Sequence, residues 1–148
     1  MDVNGAVRNA WDKVVEDFKE ACKYGGGYYW NEEVLCLSFF RHLLMQDIKI
    51  KMFSAEVETW IWKNVYHPDL IVVFEVDGDT KACAFEFKFW GPMAGWREAW
   101  DRVIKYRDAL YFDYGFFLAI GPSTRVYEFP KEVEKRDHHE VEALIHVI

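Results

Sequence analysis

Cysteine, glutamine and excess positive charge are all scarce in this chain of 148 residues, and each scarcity removes a class of explanation. The three cysteines, Cys22, Cys36 and Cys83, are odd in number, widely spaced and form no CxxC pair. Neither a disulfide framework nor a zinc site is indicated, and buried thiols in a reducing compartment are the plain expectation. Glutamine occurs once, at Gln46, a bias shared by hot-adapted chains. No apolar run reaches the roughly 20 residues that span a bilayer, and the opening MDVNGAVRNAWDK lacks the apolar centre of a signal peptide. The expectations are no membrane and a cytoplasmic location. Lys and Arg number 18 against 25 Asp and Glu, a net charge of −7. That balance argues against a surface that coats nucleic acid non-specifically, because such binding neutralises phosphates with cations. It leaves open a carboxylate site that holds divalent cations, since such a site contributes negative charge itself.

What is present is enough for one folded domain over residues 1–148, at 51% apolar and 18% aromatic. Residues 4–23 carry Val7, Trp11, Val14, Val15, Phe18 and Cys22 at three- and four-residue steps, an amphipathic helix that Gly25, Gly26 and Gly27 end. A second helix is predicted over 31–45, with Asn31 as N-cap and Glu32 and Glu33 at the positive end of the dipole. At 100° per residue Cys36, Leu37, Phe40, Leu43 and Leu44 share a face, Glu33 projects into it, and Glu32 lies at its edge. From Ile48 to Trp62 the period becomes two, for one bent strand or two short ones that include Glu56 and Glu58.

The most informative stretch is HPDLIVVFEVDGDTKACAFEFKFW, residues 67–90. Asp77-Gly78 is a favoured two-residue hairpin turn of the mirror-image type. With that loop, position 76 pairs with 79, and stepping outward along both strands brings Asp69 opposite Glu86. With Gly78-Asp79 as the loop, Asp69 faces Lys88 and Glu86 is the diagonal neighbour. With either two-residue loop Asp69, Glu86 and Lys88 share one face, because strand side chains alternate, whereas a three-residue loop would separate them. Cys83, Phe85, Phe87 and Phe89 point to the other. Gly91-Pro92 breaks the strand, and 95–111 is a third helix with a stripe of Trp96, Ala99, Trp100, Val103, Tyr106 and Leu110. Its Arg97, Arg102, Lys105 and Arg107 are the densest basic cluster of the chain. The run 114–120, YGFFLAI, reads as a buried central strand. A further strand is expected at 125–129, a charged surface segment at 131–142 and a last short strand at 143–148. These elements predict an α/β sandwich, a mixed β-sheet core flanked by helices.

Two carboxylates on one sheet face repel unless something positive lies between them, and a hard divalent cation such as Mg²⁺ would satisfy them. Lys88 on the same face can hold a water or neutralise a phosphoryl oxygen. The competing reading is an edge hairpin that shows Asp69, Glu75, Glu86 and Lys88 to solvent. The near-continuous apolar character of the two strands weighs against it, because a buried strand rarely carries unpaired charge. His67 reads as a local hydrogen-bonding group, His138 and His139 as part of a solvated face, and the seven tryptophans as core.

Pro68-Asp69, followed by Glu86-Phe87-Lys88 and preceded by a helix-start carboxylate, resembles the PD-(D/E)xK nuclease superfamily. The similarity covers roughly residues 30–120, with residues 1–27 as an added helix and glycine turn. It implies a restriction-endonuclease-like fold and a Mg²⁺- or Mn²⁺-dependent enzyme that hydrolyses DNA phosphodiester bonds. It implies Asp69 and Glu86 as metal ligands with the Phe87 carbonyl, Lys88 as the residue that positions or activates water, and Glu33 or Glu32 as the helix carboxylate. Arg102 and Tyr106 resemble the Gln-x-x-x-Tyr that follows the motif strand in some branches, with Arg in place of Gln. The alternative is a catalytically silent protein of this fold, an interaction module for nucleic acid or protein, forming a homodimer through exposed aromatics.

Overall fold

The computed structural model describes residues 1–55, 59–61, 64–123 and 128–148, with 28, 59–61 and 64–66 as backbone only. Helix α1 (Val3–Lys23) starts at Asp2, whose carboxylate accepts from Gly5 N at 2.7 Å. A 3₁₀ turn (Gly26–Tyr29) leads to α2 (Glu32–Leu44), capped by Asn31, which accepts from Val34 N at 2.9 Å. Strands β1 (Lys49–Ala55), β2 (Thr59–Ile61), β3 (Asn64–Tyr66), β4 (Leu70–Val76) and β5 (Asp79–Phe89) follow. Then come α3 (Met93–Asp108), β6 (Tyr114–Gly121), β7 (Glu134–Arg136) and β8 (His139–Val147). Among the described residues no helix is long and apolar enough to cross a membrane.

Six strands form one mixed sheet in the order β1-β4-β5-β6-β8-β7, and β2 and β3 pair separately. The β4–β5 hairpin has the register that a two-residue loop dictates: Val76 pairs with Asp79 and Leu70 with Phe85. Asp77 and Gly78 both have positive φ, 52° and 84°, as the mirror-image turn requires. β5 then runs parallel to β6 through α3, and β6 parallel to β8. β5 is therefore a central strand, and the edge-hairpin reading is excluded. Of the charges that reading grouped, Glu75 pairs with Lys49 of the outer strand β1 at 2.7 Å.

Alternation along β5 builds two cores, one on each face of the sheet. Cys83, Phe85 and Phe87 pack with Leu70, Val72, Phe74, α1 and α2. Ala84 packs with Trp96, Ala99, Val103 and Tyr106 of α3, and with Phe117 and Val141. The result is a helix–sheet–helix sandwich.

Three sequence expectations shift. In α2 the buried stripe is Leu35, Phe39 and Leu43, whereas Leu37 and Leu44 are 71% and 56% exposed. The helix is apolar on more than one side, so periodicity alone does not select its inward face; Phe85 and Phe87, against which Phe39 packs at 5.1 and 5.6 Å, do. The 131–142 segment is not simply a charged surface stretch, and the last strand starts at His139 instead of Ala143. Glu140 and Glu142 disguised it. Glu142 is buried there because Arg8 of α1 meets it at 2.7 Å. The strand expected at 125–129 falls mostly outside the described residues, and Phe129 packs against Trp96, Trp100 and Phe117.

The end of β6 leaves no room for a side chain. A Cβ on Gly121 would lie 2.6 Å from Trp96 Cζ2, and Trp96 is fully buried with its indole N–H donating to Trp90 O at 2.6 Å. Gly121→Ala is expected to cost about 2 kcal/mol by overpacking, read as a lowered urea midpoint. A midpoint unchanged within error would mean that Trp96 can move aside.

Candidate active site

The site forms where β4 begins and β5 ends, because the hairpin register carries Asp69 beyond the last paired residue of its strand. Asp69 N donates to Phe85 O at 3.1 Å, and Asp69 Oδ2 accepts from Phe87 N at 2.8 Å. These two bonds clasp Glu86 from either side and bring the Asp69 carboxyl into the field of the Glu86 carboxylate. Burial, followed by the charge of Glu86, pushes the Asp69 carboxyl up to about 7; the Phe87 N–H opposes this. Two carboxyl groups that meet in a poorly hydrated place thus bring the titration of Asp69 up to near neutral pH.

Glu86 itself is 1% exposed. Its partners come from α3, which covers this face of the sheet. Arg102 Nε lies 3.3 Å from Oε1 and Nη2 3.4 Å from Oε2, and the Tyr106 hydroxyl donates to Oε1. Arg102 and Tyr106 are four apart, so one helical turn aims both at the same carboxylate. Burial, then the charge and hydrogen bond of Glu86, hold the Tyr106 hydroxyl well above its ordinary range. For Arg102 burial pulls downward, but Glu86 outweighs it and the guanidinium ends above its usual value.

Lys88 follows on the same face, and its Nζ lies 3.4 Å from Glu32 Oε1 at the start of α2. Glu32 also adds to the negative field on Asp69. Glu33 lines the same cavity of about 380 Å³ as Glu32, Cys36, Leu37, Ala55 and Asp69. The choice between the two glutamates follows from the rotation of α2: at 100° per residue Glu32 sits over the buried Leu35, Phe39 and Leu43, and Glu33 is one step round. Of the two, Glu32 is therefore the one whose carboxylate reaches Lys88.

The other candidates lie elsewhere. Glu56 and Glu58 lie outside the described residues. His67 and His138 are exposed, and His139 Nδ1 bonds to Phe112 O at 2.8 Å. Most of the basic cluster of α3 is paired within the chain: Arg97 with Glu128 at the surface, Arg102 with the buried Glu86 and Arg107 with Asp108. The sequence shows that cluster only as basic content, because the partners lie up to 31 residues away along the chain.

Among the described residues no group of three or more His, Cys, Asp or Glu side chains is spaced to hold a metal ion. The pair Asp69 and Glu86 still suits one hard cation, because Mg²⁺ keeps several waters and needs only one or two carboxylates. The burial and the Glu86 charge that raise the Asp69 carboxyl mark where a positive charge is wanted. Compared with known proteins, the chain matches no family model, no curated protein and no solved structure.

Proposed function

We propose that this protein is a metal-dependent nuclease that hydrolyses DNA phosphodiester bonds, with a restriction-endonuclease-like core. The observation that carries the reading is Asp69 facing Glu86 at a buried sheet end, with Lys88 on the same face and held by a helix-start glutamate. The order α2, β1, β4–β5 hairpin, α3, β6 agrees with the motif resemblance at 68–69 and 86–88. DNA as the substrate follows from that resemblance.

Asp69 and Glu86, with the Phe87 carbonyl, would hold Mg²⁺ or Mn²⁺. The bound cation would supply Lewis acidity to a phosphoryl oxygen and lower the pKa of a coordinated water. The chain's own part is positional. Lys88 presents an ammonium to the attacking water or to the charge that develops on phosphorus. Glu32 fixes that ammonium, and Glu33 stands beside it in the same cavity. Arg102 and Tyr106 hold Glu86 in one rotamer, so the acceptor oxygens do not search for their geometry.

The test is Mg²⁺- or Mn²⁺-dependent cleavage of single-stranded, duplex and branched DNA, with RNA as a comparison. Glu86→Ala and Lys88→Ala are each expected to slow it by roughly 10³-fold. Absence of cleavage on all four, with no calorimetric cation binding that Asp69→Ala removes, would sink the enzyme reading. The second reading would then stand: a silent protein of this fold acting as a nucleic-acid or protein interaction module. One observation favours it, that Glu86 already has a cation of the protein's own. Exposed Met52 and Phe53 on the edge strand β1 would offer its homodimer surface.

A further inference from the structure

We propose that Arg102 is a built-in counter-ion for Glu86 that competes with a divalent cation for the same carboxylate, and so sets how loosely the site holds one. The proposal rests on the cation-site reading of Asp69 and Glu86. Glu86 is 1% exposed, so its charge cannot be left to water, and a buried carboxylate without a partner is costly. The Arg102 guanidinium covers both oxygens, at 3.3 and 3.4 Å. Lys88 does not do this job, because its Nζ is engaged with Glu32 at 3.4 Å.

The pair is asymmetric in a way that makes Arg102 the displaceable member. The Arg102 side chain is 33% exposed and Glu86 2%. The arginine side chain is partly open to water, whereas the carboxylate is fixed on a central strand and bonded by Tyr106. A cation arriving between Asp69 and Glu86 meets a positive charge within bonding distance of one ligand, and the two repel in a site where water screens poorly. A glutamine at 102 would donate the same kind of hydrogen bond with no charge. The arginine therefore keeps the cation-free site neutralised at the expense of cation affinity.

Mn²⁺ binding to the full chain, measured by calorimetry, tests this through Arg102→Gln, Arg102→Lys and Asp69→Asn. Arg102→Gln is expected to bind Mn²⁺ roughly tenfold more tightly than wild type. Arg102→Lys should stay near wild type, and Asp69→Asn should remove binding in either background. If Arg102→Gln binds equally or more weakly while Asp69→Asn still abolishes binding, Arg102 is no competitor and the proposal fails alone. If no Mn²⁺ binding depends on Asp69 in any variant, the cation-site reading fails first. A measurement on the wild type does not depend on how the variants fold. Saturating Mg²⁺ should shift the Arg102 Nε–H resonance and speed its exchange with water; an unchanged resonance on a Mg²⁺-loaded protein would overturn the displacement.

Discussion

Asp69→Asn is expected to stabilise the cation-free protein by about 2 kcal/mol at pH 8, while removing cation-dependent cleavage. The Asp69 carboxyl, pushed up to about 7 by burial and by Glu86, binds its proton more tightly in the folded chain than in the unfolded one, where an Asp titrates near ~3.9. Between those values the folded state holds more protons, so stability falls as pH rises from about 4 to about 7. Asparagine keeps an oxygen to accept from Phe87 N and puts an uncharged amide in place of the ionisable group beside Glu86. Urea unfolding with a chelator present, at pH 5 and pH 8, measures this. The wild type should lose stability relative to the variant between the two pH values. Parallel profiles would show that Asp69 is not strained in the cation-free fold. A carboxylate that costs the fold stability is what the proposed cation site would require of Asp69.

Phe85→Ala should cost about 4 kcal/mol of stability. Phe85 is fully buried on a central strand and packs on Phe39 at 5.1 Å and Phe116 at 5.2 Å. It therefore ties α2 to the middle of the sheet, and its carbonyl also accepts from Asp69 N. Removing the ring leaves a cavity between rigid elements that cannot close fully, so the transfer and cavity terms add. A domain of this size is typically stable by about 5–15 kcal/mol, so the variant should unfold at a much lower urea midpoint with an unchanged slope. A loss under about 2 kcal/mol would mean that α2 collapses into the space. In that case Glu32 should move with the helix, and the Lys88 pairing with it.

Much of the site was legible in residues 67–90. Asp77-Gly78 dictates a tight turn, the turn dictates the register, and the register opposes Asp69 and Glu86. The core aromatics were legible for the same reason, since Phe85 and Phe87 alternate with Glu86 and Lys88. β8 was harder, because Glu140 and Glu142 break its apolar pattern and only Arg8, 134 residues away, explains why Glu142 can be buried.

A two-residue turn read from the sequence puts both carboxylates and the lysine on one face with the aromatics behind them, because turn geometry and strand alternation act over a few bonds. The fold selects the register in which Asp69 faces Glu86. Only the tertiary structure decided that β5 is central, that Glu32 is the glutamate on Lys88, and that Arg102 belongs to Glu86. Each of those depends on which way a helix is rotated and what it packs against. An apolar stripe on more than one side of α2, or an arginine one turn from a tyrosine on α3, has several local solutions. The packing of Phe39 on the sheet, and the need of a buried carboxylate for a cation, select one.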